Sequence, residues 1–243
     1  MQDFYGDTPF IIGNKKQKRR RKRDEIQSIG ISGRFLARLS LFFIIVVAIG
    51  SVFVFRALFA VKAESRTYYA VCFYEGQSKS AAETVRDDII SSGGSGYVIC
   101  SGAYKVYGGM YAKRSEADVV ASRQSNAFVE TFGWKQSKIG FSSRAEAINV
   151  KNALSFYCGV ADKLVESASL IVKEEESSVA VKSYAAAARK KFSEYSASIS
   201  DEKLSLLFER AAVSINTLAE CDDADFLSVL RYVAQDLVVL RGT

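Results

Sequence analysis

Histidine is absent from this sequence of 243 residues, proline occurs once and cysteine only four times. Without histidine there are no Ser-His or Cys-His nucleophile pairs, and the commonest general base and nitrogen ligand of zinc are missing. The cysteines, at positions 72, 100, 158 and 221, are too far apart for a C-x-x-C metal or redox motif. We therefore predict a protein that is not an enzyme and has no catalytic residues, no metal site and no cofactor.

The net positive charge of the chain is confined to its N-terminal end. Residues 1–63 hold 12 of the 33 Lys and Arg residues and 4 of the 27 Asp and Glu residues, a net charge of +8, which leaves −2 for residues 64–243. A nucleic-acid partner requires a positive field over the folded surface, and the larger part of the chain has none. We expect no nucleic-acid partner.

A long apolar run divides the chain in two. Seventeen residues from Leu39 onward carry no charge, and the run resumes after Arg56. Because about 20 apolar residues cross a bilayer as a helix, we predict a transmembrane helix over residues 39–61. The excess of Lys and Arg in the basic arm, residues 1–38, predicts a single-pass cell-membrane protein with a cytoplasmic N terminus and extracytoplasmic C-terminal domains.

Two alternatives remain open at this end of the chain. The "VKA" before Glu64 fits a signal-peptide cleavage site, so the apolar run could instead be a cleaved targeting segment. The basic arm is either a topology signal that also touches anionic lipid or a docking site for a cytoplasmic partner or nucleic acid.

Residues 64–138 alternate between strand-like and helix-like patterns. The pattern predicts strands over residues 67–75, 97–101, 103–108 and 127–134, and helices over residues 78–92 and from Ser115 onward. The order βαββαβ is that of the ferredoxin-like fold, an antiparallel four-stranded sheet with both helices on one face and the other face free. The pair Gly108-Gly109 is interpreted as the turn that leaves the third strand.

Residues 141–243 are helical throughout. Ser143 and Glu146 form a predicted capping box at the first helix, and three more helices are predicted over residues 178–198, 201–220 and 223–241. Their apolar stripes predict an antiparallel bundle. The stripes are either its own core or faces for a protein partner. The predicted fold class is thus α+β: a ferredoxin-like domain after one transmembrane helix, followed by an all-α bundle.

The stretch "YKVYGGMYAKRSEA", residues 104–117, resembles the second half of the SPOR family, and "YYAVCFYEGQSKSAAETV" is similar to the family's first strand and helix. The resemblance covers about residues 67–135. In the second half, Lys105 takes the place of the family's arginine, Gly109 that of its glycine and Tyr111 that of its phenylalanine, and Glu116 and Ala117 match outright.

What the resemblance implies is a domain that binds peptidoglycan glycan strands stripped of their stem peptides. Such domains gather at division or sporulation septa. The helical region would then be an interaction or spacer module. Cys72 stands where the family often has a glutamine on the first strand.

A saccharide needs aromatic rings with hydrogen-bonding groups between them, and the free sheet face is expected to offer both. The two-residue period of strands turns alternate side chains to that face. The alternative is that these residues only cover the sheet, and Trp134 could equally dock the bundle. The predicted glycan-binding residues are Cys72, Tyr74, Lys105, Tyr107, Phe132 and Trp134.

Two other functions remain possible, and the pairing of the cysteines has to be considered. The small α/β domain could assemble side by side into a ring or scaffold of a sporulation or envelope complex, since sheet edges can pair. A catalytic pair of carboxylates, Glu75 with Glu116, is the weakest hypothesis. We predict no disulfide between Cys72 and Cys100, because one strand separates theirs. Cys158 and Cys221 are either paired or buried free thiols.

Overall fold

The computed structural model describes residues 33–136 and 138–242. The described residues divide into two units between Val47 and Ala48. Helix α1 (Gly33–Leu58) contains this boundary. The fold described below is that of the second unit.

The predicted transmembrane helix is wrong. Among the described residues, no helix combines the length and the apolar character that a membrane crossing requires. This finding overturns the span predicted over residues 39–61 and the single-pass localisation that depended on it. Most of the predicted basic arm, residues 1–32, lies outside the described residues.

Two antiparallel sheets follow α1. The smaller one pairs β1 (Ala60–Lys62) with β6 (Lys138–Gly140). The larger sheet has the strand order β3-β4-β2-β5. Its strands are β2 (Arg66–Gly76), β3 (Tyr97–Cys100), β4 (Tyr104–Tyr111) and β5 (Phe128–Trp134). Helices α2 (Lys79–Ser91) and α3 (Arg114–Ala121) pack on one face of this larger sheet.

The Gly108-Gly109 pair is part of β4 and not the turn that the sequence predicted. The pairing of β4 with β2 is irregular at this point, since Ala70 lies opposite Met110 but Cys72 lies opposite Tyr107. A Cβ atom on Gly108 would overlap the ring of Phe73. Glycine is therefore required here by the close approach of a neighbouring side chain.

Four long helices complete the chain. They are α4 (Arg144–Val172), α5 (Ser178–Ser198), α6 (Glu202–Glu220) and α7 (Phe226–Gly242). The predicted start at Ser143 is confirmed, because its hydroxyl accepts a hydrogen bond from the Glu146 backbone N–H at 3.2 Å. Ser177 and Asp201 cap α5 and α6 in the same way. These local caps fix where the helices begin.

The apolar stripes of these helices form an intramolecular core. Phe208 and Ile215 on α6 and Leu230 and Leu237 on α7 are fully buried. The core continues without a break into the larger sheet, where α7 packs on β3, β4 and β5. The other face of the sheet has only a small cluster, centred on Val71, between the sheet and α3.

The predicted fold class is wrong as a description of this chain. The structure is 61% helical, with seven helices and two small antiparallel sheets among the described residues, and its full order of elements is not that of a βαββαβ domain between a transmembrane helix and a helical bundle. The extra strands β1 and β6 flank the larger sheet in sequence. The sheet face that was expected to be free is covered by α7, because the stripes of the bundle and the aromatic residues of the sheet bury one another.

Candidate functional site

The sheet face that points away from α2 and α3 has two ends with different surroundings. We call the part beneath the bundle the covered end, defined by Tyr68, Tyr107 and Trp134, all nearly inaccessible to solvent. We call the other part the open end. It is defined by Glu75, Lys105, Phe128 and Glu130, all at least partly exposed. Only the open end can meet a large ligand in this structure.

Trp134 belongs to the covered end. Its Nε1 donates a hydrogen bond to the backbone oxygen of Val238 on α7 at 2.8 Å. Its ring meets the ring of Tyr68 edge-on at 5.4 Å between centroids, and the guanidinium of Arg241 lies 4.2 Å from its centroid. The structure therefore agrees with the alternative interpretation, that Trp134 docks the bundle.

Cys72 and Tyr107 lie opposite each other on β2 and β4 and are both buried. Burial raises the pKa of the Cys72 thiol to about 11, and its Sγ donates to the Tyr74 backbone oxygen at 3.2 Å. Burial also raises the pKa of Tyr107, and its hydroxyl donates to Glu130 Oε2 at 2.5 Å. Neither side chain is accessible to a glycan, because both are almost completely buried.

Further polar contacts hold α7 on the sheet. The Ser95 hydroxyl lies 2.8 Å from the Tyr107 backbone oxygen and 3.0 Å from Gln235 Oε1, all within the buried interior. The Tyr97 hydroxyl donates to Asp236 Oδ1 at 3.0 Å. Buried hydrogen bonds fix orientation as well as adding stability. The cover over the sheet is therefore a defined interface and not a loose lid.

The open end is organised around Lys105. Its Nζ lies 3.0 Å from Glu130 Oε1 and 3.7 Å from Glu75 Oε1. The hydrogen bond to Glu130 is the main reason why the pKa of Lys105 is raised. Its Nζ also lies 6.0 Å from the centroid of the Phe128 ring, and Phe128 is 38% exposed. The result is a charged row beside one open aromatic ring.

Glu130 connects the two ends of the face. One of its carboxylate oxygens accepts from Lys105 and the other accepts from the buried hydroxyl of Tyr107. Phe132, two residues further along β5, is half-buried and meets the Tyr107 ring edge-on at 5.4 Å. The position of the exposed charges is therefore fixed by residues of the covered end.

Tyr74 does not join this face. The irregular pairing around Phe73 places Tyr74 opposite Val106, and Glu75 opposite Lys105. The Tyr74 hydroxyl donates to the backbone oxygen of Ser78, the residue that caps α2. The extra residue of the bulge thus exchanges the two faces, and a glutamate takes the place that the strand period predicted for the tyrosine.

The structure brings only part of the predicted site together. Lys105 is on the open end, Phe132 borders it, and Tyr74, Tyr107 and Trp134 do not form one patch. Sequence reasoning missed Glu130 and Phe128. Both could have been found, because they share the strand face of Phe132 by the two-residue period.

The other chemical candidates are separate from this site. Glu75 lies beside Lys105, whereas Glu116 is on α3 and lines a depression with Asp162 of α4. All four cysteines are free thiols. Within residues 33–136 and 138–242, no cluster of three or more acidic, cysteine or histidine side chains could hold a metal ion.

Comparison of the chain with family models, curated proteins and solved structures finds no match. A function for the open end is therefore argued from its own side chains. They offer one ammonium group, two carboxylates and one exposed ring on a rigid strand surface. This is a set that can bind hydroxyl, amide and carboxylate groups of a ligand without reacting with it.

Proposed function

We propose that the protein is a non-catalytic binding protein that holds glycan strands of the cell wall on the open end of its sheet. The observation that carries the proposal is the fixed row Glu75, Lys105 and Glu130 beside the exposed ring of Phe128. Sugars present C–H faces that stack on such rings and hydroxyls that bond to such charges. The resemblance to the SPOR family supports the same ligand and a place at a division or sporulation septum.

The charged groups of the open end suit the hydroxyls of a glycan, and the resemblance to the SPOR family favours strands without stem peptides. Lys105 is already paired with Glu130 and Glu75, and its N–H groups are donors for sugar hydroxyls. Glu75 and Glu130 are acceptors for sugar hydroxyls. Because Glu130 is also held by Tyr107, the carboxylate is oriented before the ligand arrives, which lowers the entropy cost of binding.

The test is sedimentation of the full-length protein with cell-wall sacculi, untreated and after digestion with an amidase. We expect more protein to sediment with the digested sacculi. Lys105→Ala is expected to weaken that binding about tenfold, as the loss of one charge-assisted contact. Lys191→Ala is the matched control, since Lys191 also forms an ion pair but lies on α5. Equal sedimentation of all three proteins, or none with either kind of sacculi, would contradict the proposal.

A second candidate is a scaffold that assembles through sheet edges. The observation that favours it is that β5 lies at the edge of the larger sheet and, among the described residues, pairs with β2 alone. Edge strands of this kind can pair with a second chain. Sedimentation velocity of the full-length protein distinguishes the two, because a scaffold gives a concentration-dependent oligomer that Thr131→Pro on β5 abolishes.

A further inference from the structure

A cavity of about 460 Å³ lies on the opposite side of the sheet from the open end, between α2, α3 and β4. Its volume is within the range of small-molecule sites. The walls combine rings and aliphatic side chains with a few polar groups. The lining residues used below are Phe73, Asp88, Tyr111, Val120, Arg123 and Arg231.

Two arginines from different elements meet in this cavity. Arg123 follows α3 and Arg231 lies on α7. Arg231 is held in place because its Nη1 donates to the backbone oxygen of Gly93 at 2.7 Å, which leaves its other N–H groups for a ligand. Within the described part of the chain, neither arginine forms an ion pair with a carboxylate.

The positive charges of both arginines influence the hydroxyl of Tyr111, which also lines the cavity. Burial raises the pKa of the Tyr111 hydroxyl, and the charges of Arg231 and Arg123 oppose that rise. Asp88 contributes one carboxylate to the lining. The charge of Glu116, which does not line the cavity, also raises the pKa of Tyr111. The lining itself therefore carries two positive charges and one negative charge, in a region, residues 64–243, whose net charge is −2.

The remaining walls are apolar. Phe73, Tyr111 and Val120 belong to the small cluster between the sheet and α3. The backbone beneath them is already satisfied, since the Ser95 N–H donates to the Gly108 oxygen at 2.8 Å. Recognition of a charged group in this cavity thus falls to the two arginines, and recognition of an uncharged body falls to the rings.

We propose that this cavity binds a small organic anion, with its carboxylate or phosphate group between Arg123 and Arg231 and its ring or chain against Phe73 and Tyr111. Guanidinium groups bind either oxyanion through paired hydrogen bonds, so both classes share one chemistry. This site is independent of the glycan surface, because it lies on the other face of the sheet and uses none of its residues.

The experiment is thermal unfolding of the full-length protein with three probes: glucose 6-phosphate, glucuronate and glucose. A ligand that binds only the folded protein raises its Tm with concentration. We expect a rise with at least one anion and none with glucose. Phosphate and carboxylate ligands are distinguished by which of the two anions acts at the lower concentration.

Two variants locate the effect. Arg123→Gln is expected to raise the Kd of the active anion about tenfold or more, and it preserves the fold because Arg123 is exposed. Arg189→Gln, an exposed arginine on α5, is the matched control and is expected to bind like the wild type. The proposal is overturned if neither anion raises the Tm more than glucose does. An equal loss of anion affinity in Arg123→Gln and Arg189→Gln would also overturn the proposal, since it would reveal a general charge effect.

Discussion

The covered and open ends of one sheet face differ in what their side chains do. At the covered end, Tyr68 and Trp134 are locked between β-strands and the bundle by hydrogen bonds and ring contacts. At the open end, Lys105 and Phe128 keep part of their surface in solvent. Aromatic residues on a strand face therefore form a binding surface only where no other part of the chain packs over them.

The largest difference between the two ends is expected in stability. Trp134→Ala removes a buried indole and its hydrogen bond to Val238, so the free energy of unfolding should fall by about 3–5 kcal/mol. Phe128→Ala, at the open end, should cost less than about 1 kcal/mol because Phe128 is already 38% exposed. Chemical denaturation measures the unfolding free energy of both variants. Equal losses of stability would contradict the difference between the covered and open ends.

The second prediction concerns the bulge around Phe73 on β2, next to the open end. Gly108→Ala places a methyl group against the ring of Phe73, and overpacking of this kind costs about 1–3 kcal/mol. Phe73 lies at the irregular pairing that places Glu75, and not Tyr74, opposite Lys105. Displacement of Phe73 should therefore weaken glycan binding as well. Gly159→Ala on α4, where an added Cβ meets nothing, is the control. An unchanged stability of Gly108→Ala would contradict the role of the bulge.

Three tyrosines of the larger sheet that the bundle or its neighbours bury predict a loss of stability in alkali. Burial raises the pKa values of Tyr68, Tyr97 and Tyr107 above their ordinary value. The unfolded chain therefore loses these protons first, so their contribution is full below about pH 10 and falls as the pH rises further. Each such tyrosine adds about 1.4 kcal/mol of loss per pH unit above that point.

Replacement of the partly buried Tyr97 isolates the contribution of one tyrosine. In Tyr97→Phe, the fall in unfolding free energy between pH 10 and pH 11 should be smaller than in the wild type by about 1 kcal/mol, because the unfolded tyrosine is already half ionised at pH 10. Denaturation curves at the two pH values provide the comparison. An identical fall in both proteins would mean that Tyr97 ionises equally in the folded and unfolded chains.

The smallest effect concerns a position distant from both ends. Glu174, just after α4, has a φ of 61°, in the left-handed region that favours glycine. Glu174→Gly should stabilise the protein by about 0.5–1 kcal/mol, by relieving the Cβ strain at the helix end. Glycan binding should not change. A change in binding of this more stable variant would show that stability and binding at the open end are coupled.

The helices could be predicted from the sequence because their signals are local. Ser143 caps α4 as expected, and α5 and α6 end at the predicted residues 198 and 220. Capping residues and a 3.6-residue apolar period act within one or two turns, so they can be read without knowing the neighbours of the helix.

The division of the sheet face could not be predicted, because it depends on contacts between distant parts of the chain. Trp134 contacts α7 more than 100 residues away in sequence. The bulge depends on how Gly108 fits the ring of Phe73 on the neighbouring strand. Arg123 and Arg231 come together only once α7 has packed on the sheet. Periodicity reports which side chains alternate, but not what lies over them.

One paired measurement tests the account most directly: the affinity for amidase-treated sacculi and the free energy of unfolding, both measured for Phe128→Ala and Tyr68→Phe. Phe128→Ala should weaken binding about fivefold to tenfold and leave stability almost unchanged. Tyr68→Phe loses the hydrogen bond to Asp162 and should lower stability by about 1–2 kcal/mol without weakening binding. If Phe128→Ala binds like the wild type while Tyr68→Phe loses binding, the assignment of function to the open end is wrong.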